Sequence, residues 1–142
     1  MNDPKGTNSR KQKANGAGAL IFVVDDEPML LELAAVILEP LGYNVKTFRD
    51  PQTAVDAYTS SKPPPELVIT DYAMHTMNGM DLIKACRDLD PQQRVLLISG
   101  TVDEHIFRKA KVKPDRFLAK PYQAKQLVDF VEELLSNHHT SP

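Results

Sequence analysis

The chain has 142 residues and a formal net charge of -2, a length that suits one domain and leaves no room for two of full size. Charged residues at 25% and apolar ones at 42% make an ordinary soluble composition, and 17 basic against 19 acidic residues give no electrostatic case for nucleic-acid binding. The single cysteine, Cys86, excludes an internal disulfide framework and a cysteine-based metal cluster.

Residues 1–18, MNDPKGTNSRKQKANGAG, offer almost nothing to bury and carry a charge of +3. They read as a disordered tail, with a solubilising leader or a basic arm as its two uses. The apolar run that follows, Ala19 to Val24, is too short to cross a bilayer and has no signal-peptide pattern before it. Within it Leu20 to Val24 predicts a strand buried on both faces. A helix follows, with Leu30, Ala34, Ile37, Leu38 and Leu41 on one stripe, Pro28 in its first turn and Gly42 just past its end. Asn44 to Phe48 predicts a second strand, Gln52 to Tyr58 a short helix, and Pro63 to Pro65 a stiff connector.

Glu66 to Thr70 predicts a third strand that ends at Asp71. Gly79 opens a helix with Leu82, Ile83, Cys86 and Leu89 at helical spacing, and Arg94 to Ser99 is a fourth strand. Asp103 to Ala110 is a short, weakly amphipathic helix, and Arg116 to Ala119 a fifth strand. Leu127, Val128, Val131, Leu134 and Leu135 stripe the last helix, and SNHHTSP is expected to fray. Five successive βα units with short apolar strands imply an α/β fold, a parallel sheet covered by helices on both sides. Ligands of such sheets sit beyond the carboxyl ends of the strands.

Those ends carry a matched set of groups. Asp25, Asp26 and Glu27 follow the first strand, Asp71 the third, Ser99-Gly100-Thr101 the fourth and Lys120-Pro121 the fifth. Singly, each has an ordinary explanation as a cap, a turn residue or a solvated charge. Jointly, crowded carboxylates favour a hard divalent cation, and a lysine and a hydroxyl around the same point suit a phosphoryl group. An ionised aspartate is itself a nucleophile, so no histidine or cysteine base is required.

With VVDDEP (Val23 to Pro28), DYAMHTMNG (Asp71 to Gly79), ISG (Ile98 to Gly100) and FLAKPY (Phe117 to Tyr122) in this order, the chain resembles the receiver domain of two-component response regulators. The resemblance implies a flavodoxin-like, doubly wound (βα)5 sheet of strand order 2-1-3-4-5, with the receiver over 19–137 between tails at 1–18 and 138–142. It implies Asp71 as phosphoacceptor, with Mg2+ held by Asp26, Asp71 and the main-chain carbonyl of Ala73, and by Asp25 through water. Lys120 and Ser99 would contact the phosphoryl group, and Phe117 would be the switch aromatic.

Implied too are a histidine kinase or histidine phosphotransfer protein as donor, a downstream protein target or phosphatase as partner, and a cytoplasmic location. The chain would be a switch and not an enzyme, without membrane or direct DNA contact, because no DNA-binding segment follows the last predicted helix. A receiver segment of a larger hybrid kinase or regulator is the alternative. The basic run Arg108, Lys109, Lys111, Lys113 and Arg116 faces Asp129, Glu132 and Glu133 in charge, which raises a homodimer across the surface of the fourth helix, fifth strand and fifth helix.

The chain departs from the family pattern at His75, where receivers usually carry proline; a loosened loop is one reading, a proton-shuttle or metal role the other. Cys86 reads as a small core hydrophobe. A phosphatase of the haloacid dehalogenase type also uses an aspartyl phosphate, Mg2+ and a lysine. It wants a second Asp two positions after its nucleophile, where Asp71 is followed by Ala73. A flavodoxin-like FMN site lacks its phosphate loop after the first strand.

Overall fold

The computed structural model describes residues 18–100 and 108–140, the last four by backbone alone. Five strands form one parallel sheet: β1 (Leu20–Val24), β2 (Asn44–Phe48), β3 (Leu67–Asp71), β4 (Val95–Ser99) and β5 (Arg116–Ala119), in the order β2-β1-β3-β4-β5. The described residues include helices α1 (Pro28–Leu38), α2 (Pro51–Ser60), α3 (Gly79–Leu89) and α4 (Ala124–Thr140). No described helix is long and apolar enough to cross a membrane.

Alternation along each strand divides the apolar residues between two layers. Ile21, Val23, Ile69, Leu96 and Ile98 pack with Leu31, Ala34 and Leu38 of α1 and Leu127, Val131 and Leu134 of α4. On the other side Phe22, Val24, Val68, Val95 and Leu97 meet Ala54 and Tyr58 of α2 and Leu82, Ile83 and Cys86 of α3. Every residue of β3 and β4 is buried, as expected of central strands covered on both faces. The edges differ: β2 and β5 are partly exposed, and each carries a cation, Lys46 at the centre of β2 and Arg116 at the start of β5.

Local chemistry starts and stops the helices. Pro28 occupies the first turn of α1, and a 3-10 turn over Glu39–Leu41 ends at Gly42, whose φ of 100° suits glycine. The Asp50 carboxylate accepts from Thr53 N–H at 3.2 Å to cap α2. Asn78 and Asp81 form a reciprocal capping box on α3, with bonds of 2.9 and 3.2 Å. At the amino-terminal rim of the sheet, Arg87 clamps α3 to the strands. Its Nε donates to Gln93 O at 3.1 Å and its Nη2 to Asp115 Oδ2 at 2.9 Å, and Nη1 reaches Lys113 O. Asp115 Oδ2 also accepts from Val95 N–H at 2.7 Å. Nearby, the buried Tyr58 hydroxyl donates to Gln93 Oε1 at 2.7 Å.

Several expectations shift. In α1 the deeply buried apolar residues are Leu31, Ala34 and Leu38; Leu30, Ile37 and Leu41 lie at the margin of the core. Leu89 leaves the predicted stripe altogether: it is the last residue of α3 and is 59% exposed. Asp71 belongs to β3 itself, and Glu66 falls outside it. Gly18 is already tied to the fold by its N–H to Gly42 O at 2.9 Å. The last helix continues to Thr140, past the expected end of the domain at 137, since its sequence holds no helix breaker before Pro142. The predicted helix at Asp103 to Ala110, like the tail at 1–17, lies largely outside the described residues.

Gly79 makes a close approach that bears on the site. A β-carbon there would stand 2.5 Å from the main-chain Asp71 O and 2.7 Å from Leu97 Cδ1, the end of a buried side chain. Gly79→Ala is therefore expected to lower stability in denaturant unfolding by about 2 kcal/mol or more, because main chain must move. A loss below about 0.5 kcal/mol would mean that the loop yields freely.

Candidate functional site

The sheet delivers its polar groups to one edge. Asp25 follows β1, and its N–H donates to Phe48 O at 3.0 Å, extending the pairing with β2. The Glu27 N–H then binds Asp25 Oδ1 at 2.9 Å and fixes the carboxylate. Asp71 ends β3 opposite Ile98, while Tyr72 N–H donates to Ile98 O at 2.8 Å and Gly79 N–H to Tyr72 O at 2.8 Å, closing the loop between them. Thr70 Oγ1 donates to Asp71 O at 3.0 Å. Beyond β5, Lys120 N–H donates to Ser99 O at 2.9 Å, and its side chain turns back over the pocket.

There Lys120 Nζ lies 3.0 Å from Asp71 Oδ1 and 3.8 Å from Asp25 Oδ2. One oxygen from each of Asp25, Asp26 and Asp71 falls within 4.8 Å of the others. Asp25 and Asp71 are each only 6% exposed, and Ser99 is buried beside them at the end of β4. Burial pushes the Asp25 carboxyl up to about 6, with Asp71 and Asp26 adding to the shift against the Glu27 N–H and Lys120. Burial likewise raises Asp71, opposed by Lys120. Burial lowers the Lys120 ammonium, yet its bond to Asp71 and the charge of Asp25 outweigh this and hold it above its ordinary range. The pocket is thus short of positive charge.

The structure brings Asp25, Asp26, Asp71, Ser99 and Lys120 to one edge. Ala73 lies exposed in the loop after Asp71. Phe117 sits half-buried in β5, packed against the layer that contains Phe22 and Leu97. Thr101 lies outside the described residues. Two features were not foreseen from sequence. His75 Nδ1 stands 2.8 Å from Asp26 Oδ2, and Tyr122 packs at the border of the pocket with its phenol raised by burial and by the Asp25 charge. The departure at position 75 was visible in the sequence, but nothing there indicated its partner. Of the basic run, Arg116 is committed within the chain, its Nε donating to Glu133 Oε2 at 2.8 Å.

Comparison with known proteins shows the family and the fold. Residues 21–132 match the family model of the response regulator receiver domain. The chain is 29% identical over 126 residues to the chemotaxis protein CheY of Treponema pallidum, covering 87% of this chain and 88% of that one. It is also 29% identical over 126 residues to the probable transcriptional regulatory protein TcrX of Mycobacterium tuberculosis, but spans only 53% of that protein's length. The response regulator TrrA of Thermotoga maritima, solved in complex with Mg2+-BeF, superposes with a TM-score of 0.73 at 25% identity, covering 82% of this chain and 99% of that one.

The raised Asp25 carboxyl makes a prediction with a definite sign. The folded chain holds this proton more tightly than the unfolded one, so the stability it contributes is full below the ordinary value of 3.8 and lost as pH rises through about 6. In chelator at pH 7.5, Asp25→Asn should raise the melting temperature by several degrees, its amide oxygen keeping the Glu27 bond. The gain should shrink steadily below pH 6. Equal or lower stability at pH 7.5 would contradict the electrostatic account.

Proposed function

The chain belongs to the response regulator receiver family, and from that premise we propose that it is a switch that accepts a phosphoryl group from a phosphohistidine onto Asp71. The observation that carries this reading is Lys120 Nζ at 3.0 Å from Asp71 Oδ1, inside a buried group of three carboxylates. An ionised Asp71 oxygen attacks phosphorus, the P–O bond forms as the P–N bond breaks, and the departing imidazole keeps the electron pair of that bond. Lys120 already stands where it can hold one phosphoryl oxygen, and the Ser99 hydroxyl, at the end of the neighbouring strand, can donate to another.

The donor set fits Mg2+: hard oxygens only, two of them on desolvated carboxylates, and a partly open side at Asp26. Asp26 and Asp71, with the Ala73 carbonyl, would hold the ion directly and Asp25 through water. When bound, it supplies the positive charge that the three carboxylates and the incoming phosphoryl group lack. The complex of TrrA with Mg2+-BeF supports this assignment.

Phosphorylation then draws Ser99 toward the new group, and the space it leaves is taken by Phe117, so that the state of Asp71 is read on the β5 side of the domain. The donor is a histidine kinase or histidine phosphotransfer protein, and the output a protein contact or a further transfer. The function is that of a cytoplasmic signalling switch and not of a turnover enzyme.

Incubation with acetyl phosphate and Mg2+, read by intact mass, should add one phosphoryl group to the wild type and none to Asp71→Asn. Equal labelling of the two would remove Asp71 from its role. Lys120→Ala should slow uptake at least tenfold. Because a proton on Asp25 competes with the cation, Mg2+ affinity should level off above pH 7 and fall about tenfold per unit well below pH 6. Calorimetric titration across pH 5–8 checks this, and a flat profile would exclude Asp25 from the ion's surroundings.

A further inference from the structure

A polar side chain shut inside a central strand costs stability unless it finds partners. Among the described residues the buried polar side chains are Asp25, Asp71, Gln93, Ser99 and Thr70. The pocket accounts for Asp25, Asp71 and Ser99, and Tyr58 for Gln93. Thr70, wholly buried on β3, is left over. Valine has the same branched shape and would fill this position with no hydroxyl to satisfy. Both partners of the hydroxyl belong to the segment that starts at Asp71. It donates to Asp71 O at 3.0 Å and stands 4.0 Å from Met74 Sδ, a weak acceptor. Between these contacts the loop is held on both sides of Ala73. Tyr72 N–H donates to Ile98 O and the Tyr72 carbonyl accepts from Gly79 N–H, each at 2.8 Å. Tyr72 and Met74 pack against the layer that contains Phe22 and Leu97, while Ala73 between them is exposed.

We propose that Thr70 is a positioning residue for the ion site: its hydroxyl, by joining Asp71 O to Met74, sets the path of the loop that presents the Ala73 carbonyl. The inference rests on the reading of this edge as a Mg2+ site with Ala73 as a main-chain ligand. Groups behind the ligands of a metal site commonly tune affinity by fixing the orientation of those ligands. The rival account is that the hydroxyl satisfies Asp71 O and stabilises the strand, with no bearing on the loop. That account expects Thr70→Val to lower stability and to leave the Mg2+ affinity unchanged.

The test measures Mg2+ affinity by calorimetry at pH 7.5 in the full chain, for wild type, Thr70→Val, Thr70→Ala and Thr70→Ser. Urea unfolding in chelator runs alongside. The proposal expects the Mg2+ dissociation constant to rise about fivefold or more in both variants that lack the hydroxyl. Thr70→Ser, which keeps the hydroxyl and loses the methyl, should return to within about twofold of wild type, even where its stability is lower. In chelator, the amide resonances of Ala73 and Met74 should shift in Thr70→Val and return in Thr70→Ser. Mg2+ affinity that stays at the wild-type level in folded Thr70→Val overturns the role of Thr70, as does a Thr70→Ser variant that binds as weakly as Thr70→Val. If neither variant without the hydroxyl folds while Thr70→Ser does, the hydroxyl serves folding and the proposal falls. In those cases the wild type still binds Mg2+, and Asp26→Ala still weakens that binding. A wild type that binds no Mg2+ overturns the reading of the site itself.

Discussion

Three carboxylates held within 4.8 Å of one another, two of them shut away from water, form a cluster that folding alone would not select. Its mutual repulsion is answered in the described residues by Lys120, which reaches Asp71 and Asp25 across the end of the sheet. The surrounding architecture is what makes the crowding tolerable. Parallel register brings Val24, Asp71 and Ser99 to the same edge, the Glu27 N–H fixes Asp25, and Thr70 and Gly79 fix the backbone of Asp71. A strand order that left β1 and β3 apart would disperse the carboxylates. The chain's two apolar layers can be read as the support for this one unfavourable arrangement.

Much of the fold was legible because its strongest signals were redundant. The five apolar runs at β1 to β5, the prolines and glycines between them and the residues just beyond each run all pointed to a parallel sheet with its chemistry at one edge. The misjudgements fall where periodicity has little power. Leu30 and Leu31 are adjacent and chemically alike, so the pattern accepts either as the inward residue; only the way α1 lies on β1 and α4 selects Leu31. Leu89 satisfies the helical spacing of α3 but is its last residue and stays exposed, while Cys86, three residues earlier, is buried.

Long-range polar pairs were less accessible still. Tyr58 and Gln93 are 35 positions apart, and Arg87 and Asp115 are 28 apart; each pair depends on how helices and rim loops meet. His75 shows the same limit at short range: the residue stands out in its motif, but its approach to Asp26 depends on the path of a loop that no period describes. In contrast, the convergence of Lys120 and Asp71 on one edge was expected from the sequence, because each lies at the carboxyl end of a strand of one parallel sheet, with β4 between them.

The two rims of the sheet bear on how the protein tolerates crowding. Open strand edges invite a second chain to add itself by main-chain hydrogen bonds, the first step of many aggregates. In an antiparallel match of β2 with its own copy, centred on the strand, Lys46 would face Lys46, two like charges at contact across the seam. At the other rim β5 is only four residues long, and Arg116, tied to Glu133 of α4, opens it. Strand addition is disfavoured at both ends, so visitors to this molecule are met by helices and loops, and concentrated solutions are protected against growth by sheet extension.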